Sequence, residues 1–172
     1  MRTLFFLLLF SLLARAEQVT ISDVTVDFPI LVKKTFDSKE NPQAPLETNV
    51  AATVTHHAKN ADSSMEFTVS RITYTDAHKP IVERETRAAL NRIMRMPGVE
   101  NSRQAMADAK VSNLDAKRLS FRCDRMKKKV CIESLYVVRK QVLYVVQIVF
   151  IENDATLAQV EAMLSKVQLA AE

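Results

Sequence analysis

The segment QVLYVVQIVFI, residues 141–151, constrains the fold more than any other part of the chain. Strand side chains alternate between two faces, so a strand wet on one side shows polar residues at every second position. Here both faces are apolar, and Gln147 is the one interior exception. Such a strand has to lie centrally in a sheet and be covered from above and below.

The flanking patterns supply the rest of that sheet. VTVDF at 24–28 alternates, with Val24, Val26 and Phe28 on one side, and Pro29 limits the strand. Residues 38–47 read as a loop with two prolines. Residues 48–57 and 65–74 are β-branched runs around the polar turn 59–64, which predicts a hairpin. A helix follows, with Asp76 as its cap, Pro80 in its first turn, Val82, Ala89, Ile93 and Met96 on one face, and Pro97-Gly98 at its end. Residues 101–109 are expected to form a short second helix. Strands are then predicted at 117–123, 130–138 and 141–151. A last helix, 155–169, carries the stripe Leu157, Val160, Leu164 and Val167, capped by Asn153 or Asp154. The expected fold is α+β: a mostly antiparallel sheet of about six strands with helices packed on it, an α-β-α sandwich.

The N-terminus predicts an address. Met1-Arg2, the apolar run Thr3–Leu13 and Ala14-Arg15-Ala16 match a cleaved secretory signal over residues 1–16. The run is shorter than the ~20 apolar residues a spanning helix needs. The expectation is a single α+β domain over 17–172, periplasmic or secreted, with no transmembrane segment after cleavage. Losing Arg2 and Arg15 takes 24 basic residues to 22 against 20 acidic ones, so the net charge falls from +4 to +2. A nucleic-acid binder would be more one-sided, and nucleic acid is not an expected partner.

Chemistry is sparse. Gly98 is the only glycine, which excludes glycine-cradled phosphate loops and the nucleophile elbow. No cofactor is expected, and an enzymatic role is not. His56 and His57 are adjacent on a strand and point to opposite faces. With Asp76 and His78, one of them gives the alternative of a small metal-binding protein or hydrolase. Cys123 and Cys131 are the only cysteines. In an oxidising compartment they are expected to pair, closing a loop worth about 2.5 kcal/mol. A redox-sensing disulfide is the further alternative, because the nearby cations would lower a free thiol's pKa. The bracketed turn carries Arg125, Lys127, Lys128 and Lys129. These four are the expected contact for anionic partners: lipid head groups, lipopolysaccharide or an envelope protein. The competing expectation is a solvated turn that discourages edge pairing.

VDFP at 26–29, LYVVRKQVLYVVQIVF at 135–150 and LAQVEAMLSKVQL at 157–169, in this element order, resemble the PsbP-like fold. That fold is shared by the photosystem II subunit PsbP, DcrB-type envelope proteins and the Mog family of Ran-binding proteins. The resemblance implies a binding or assembly accessory rather than an enzyme, and it transfers no site residue. Together these readings predict an exported, non-enzymatic binding or envelope-accessory protein.

Overall fold

The computed structural model describes residues 17–21, 23–28, 32–33, 39–40, 49–60 and 64–171. The expected signal segment 1–16, Pro29, most of the loop 38–47 and residues 61–63 of the first hairpin turn lie outside them. The first strands are β1 (Glu17–Ile21), β2 (Val24–Phe28), β3 (Val32–Lys33), β4 (Lys39–Glu40), β5 (Val50–Asn60) and β6 (Met65–Tyr74). After α1 (Val82–Met94) come β7 (Glu100–Val111), β8 (Leu114–Arg125), β9 (Lys128–Arg139) and β10 (Val142–Ile151). The chain closes with α2 (Asp154–Ser165) and β11 (Gln168–Leu169).

The long strands form one antiparallel sheet in the order β5-β6-β10-β9-β8-β7, with β3 and β4 on the outer side of β5. β1, β2 and β11 make a separate three-stranded sheet. As the apolar run requires, β10 is central, flanked by β6 and β9. Tyr144, Val146, Ile148 and Phe150 point to one face, into a core shared with Val24, Val26, Leu169 and the α2 residues Val160, Met163 and Leu164. Leu143 points to the other, into a core with Leu119, Phe121, Ile132, Tyr136 and Ile93 of α1. The fold is α+β, with a layer on each side of the sheet.

Two local expectations are corrected. Residues 101–109 are not a helix but lie in β7, the last strand of the sheet among the described residues. Their Ala, Met and Gln residues favour helix, but the antiparallel ladder with β8 overrides that propensity. Asp76 does not cap α1. The helix starts at Val82, Ile81 stands at the cap position with no side-chain bond, and the acidic Glu83 and Glu85 fill the first turn. The second helix is capped as expected: Asn153 Oδ1 accepts from Thr156 N–H at 2.8 Å.

Candidate functional site

β8 and β9 stay paired out to Arg125 and Lys128, leaving a two-residue turn, Met126-Lys127. Both turn residues have positive φ, 50° and 63°, the requirement of a type I′ hairpin. This turn matches the right-handed twist of its strands, so the tip is held by backbone geometry. Met126 is the most exposed large hydrophobic side chain described, at 86%. Around it Arg125, Lys127, Lys128 and Lys129 are all exposed.

Cations elsewhere are largely partnered. Lys59 meets Glu66, Arg87 meets Glu83, Arg122 meets Glu152, and Lys166 meets Asp27. Lys117 bridges Glu83 and Asp108 at 2.6 Å each, which raises its pKa. Among the described residues the four tip cations have no acidic partner within ion-pair distance, and the neighbouring Asp124 accepts from Asn101 Nδ2 at 2.8 Å. The second basic turn lies at the other end of β9. There Arg139 donates to the Ala170 carbonyl at 2.6 Å and to Tyr144 Oη at 3.1 Å, and it pairs with Asp23. One basic turn is bound into the fold and the other is free.

The expected disulfide between Cys123 and Cys131 is not formed; both thiols are free and buried. The register explains this. Cys123 stands opposite Val130, and Cys131 stands opposite Arg122. The two cysteines are therefore one residue out of step and project to opposite faces of the sheet. Cys123 lies in the α1-side core and Cys131 in the α2-side core. Burial pushes both thiols up, Cys131 to about 11 with help from the negative charge of Glu152. A redox sensor needs the opposite shift.

The histidines do not assemble either. His56 and His57 point to opposite faces, and His57 Nδ1 lies 3.1 Å from Thr68 Oγ1. His78 stacks on Tyr74 with ring centroids 4.5 Å apart, and its Nε2 lies 3.2 Å from Glu85 Oε1. Glu85 also accepts from Tyr74 Oη and Arg84 Nε, each at 3.1 Å. Burial pushes the Glu85 pKa up, but these hydrogen bonds outweigh it and the net shift is down. This cluster fastens the start of α1 to β6. Among the described residues no group of three or more His, Cys, Asp or Glu side chains is placed to hold a metal.

Sequence reasoning missed one buried polar group. Glu133, 1% exposed, accepts from Ser120 Oγ at 2.7 Å and from Arg118 Nε at 3.0 Å. Its signal was present: a carboxylate inside the apolar run VCIESLYVV needs a buried partner.

No protein-family model and no curated protein matches the chain. Among solved structures, LpqN, involved in cell envelope biogenesis of Mycobacterium tuberculosis, aligns over 91% of this chain and 83% of its own, at 12% identity and a TM-score of 0.47. PA94 of Pseudomonas aeruginosa, a protein of unknown function, aligns over 86% of this chain and 90% of its own, at 11% identity and a TM-score of 0.45. At these values neither similarity carries an argument about this chain, and neither shows the PsbP-like family. No described helix is long and apolar enough to cross a membrane.

Proposed function

We propose that this chain is an exported, non-enzymatic envelope-accessory protein that binds anionic partners through the β8–β9 turn. The carrying observation is the contrast in pairing. Four exposed cations without acidic partners gather on a turn of fixed geometry, in a protein that neutralises many of its other cations in ion pairs. Unpaired surface charge at a protruding end attracts counter-charge and steers encounter. The turn's shape rests on its backbone conformation and needs no disulfide.

The test is binding of the full-length chain to immobilised poly-L-glutamate, at physiological salt and at about 1 M, where screening shortens to about 3 Å. Binding should fall steeply with salt and disappear in Lys127→Glu/Lys128→Glu/Lys129→Glu. The reading fails if that triple variant, folded by circular dichroism, binds as tightly as the parent chain.

A further inference from the structure

The turn is one part of a larger end of the molecule. α1 runs alongside β8: Glu83, in its first turn, pairs with Lys117. Its far end leads through residues 95–99 to Glu100, which stands opposite Asp124 beside the turn. Met94, 42% exposed, and Arg95 are thus brought to the same end as Met126. Arg103 is added by β7, opposite Arg122. Arg95 and Arg103 also lack an acidic partner among the described residues. Of the described acids at this end, Glu152 is ion-paired with Arg122 and Asp124 is hydrogen-bonded only by the neutral Asn101 amide, which leaves the charges of Asp124, Glu100 and Asp154 against six unpaired cations.

We propose that this end docks on the surface of a bilayer containing anionic phospholipid, with Met126 entering the interfacial layer, Met94 as a second anchor, and the cations on the head groups. The inference rests on the anion-binding reading above and names its partner. Two features select a bilayer over an acidic protein. The apex is convex, with a single apolar side chain projecting from it. A protein partner would need a matching pocket and about 1,000 Å² of complementary surface, whereas the interface of a bilayer deforms around an inserted group. An apolar side chain and a cation, Met126 and Lys127, share the apex with the other cations beside them, and interfacial binding uses this combination, with apolar burial adding to attraction by anionic lipid. Methionine is unbranched and adaptable, so it needs no fixed partner shape.

The test uses the exported chain, freed of residues 1–16, with neutral phosphatidylcholine vesicles, the same vesicles containing phosphatidylglycerol, and soluble poly-L-glutamate. The sequence contains no tryptophan, so Met126→Trp places a single reporter at the apex. The expected result is co-sedimentation with the anionic vesicles only. The indole emission should shift to the blue on vesicles and not on poly-L-glutamate. Reversing Lys127, Lys128 and Lys129 to Glu should weaken vesicle binding by about a hundredfold or more, since each cation at a membrane surface contributes about a factor of five. Met126→Ser should weaken it with the charge of the tip unchanged. Binding to poly-L-glutamate without binding to vesicles overturns the bilayer proposal and leaves the anion-binding reading standing. Binding to neither overturns both. Vesicle binding with no blue shift, and unchanged by Met126→Ser, overturns the insertion.

Discussion

Left-handed backbone at Met126 and Lys127 is what a tight hairpin requires when no glycine is available. Each such residue stores roughly 1 kcal/mol of strain, part of which glycine would give back as unfolded-chain entropy. Lys127→Gly should therefore stabilise the fold by about 0.5–1 kcal/mol, and Lys127→Val should destabilise it; urea unfolding measures both. The cysteines make a second prediction. Native protein should show two free thiols by intact mass and resist alkylation until unfolded. Because folding raises the Cys131 pKa from 9.0 to about 11, the native state holds its proton more tightly than the unfolded chain. Stability on this account falls as pH rises from 9.0 towards about 11, and Cys131→Ala should flatten that alkaline limb relative to the parent. The parity that separates the two thiols was within reach of the sequence only if the turn length was known. A two-residue turn sets them on opposite faces, and a turn one residue longer or shorter would have set them on one. Glu133 belongs to this scale too. Arg118→Met leaves the buried Glu133 carboxylate with the Ser120 hydroxyl but without its closest cation, and should cost about 3 kcal/mol. Adding Glu133→Leu should recover most of that loss, and a double-mutant cycle by urea unfolding reads the coupling.

At the scale of elements, legibility followed burial. α2 announces itself because its apolar positions repeat with the helical period, and β10 because its run is apolar on both faces. β7 does not, because an edge strand with mostly exposed side chains carries no hydrophobic period. Its identity comes from its ladder with β8, which no local pattern records. The start of α1 is hidden in a similar way. A cap residue was expected at Asp76, but the helix is secured by Glu85, which binds Tyr74 and His78 across the turn. Folding lowers the Glu85 pKa from its ordinary 4.5. Its contribution to stability is thus complete above that value and is lost as pH falls through the lower folded value. Glu85→Gln should be less stable than the parent near neutrality, and the gap should narrow as pH drops below about 4.5. Urea midpoints measured down the acid limb give the comparison. An unchanged gap would mean that the cluster contributes packing and little charge.

For the whole molecule, the sheet order sets both a stability gradient and a charge gradient. β10 and β9 have strands on both sides and packed layers on both faces, whereas β7 has a partner on one side only among the described residues. Amides released only by global opening should lie in the centre, and those released by local fraying at the edge. Hydrogen exchange of the free protein should be slowest at Leu135–Val137 and Val146–Ile148 and fastest along the outer side of β7. The charge gradient crosses this one, running along the strands: the turn at Arg125–Lys128 is unpaired, while Arg139 at the opposite end is tied to Asp23 and Ala170. The two gradients make docking and unfolding separable. Added anionic vesicles should slow exchange at residues 124–129 and 94–100 and leave residues 139–142 as they were. The central amides should slow only by the amount that binding stabilises the native state. If protection rises equally at both ends of β9, the contact is a uniform electrostatic association with no preferred end. A rise confined to the turn end assigns the docking surface without any substitution.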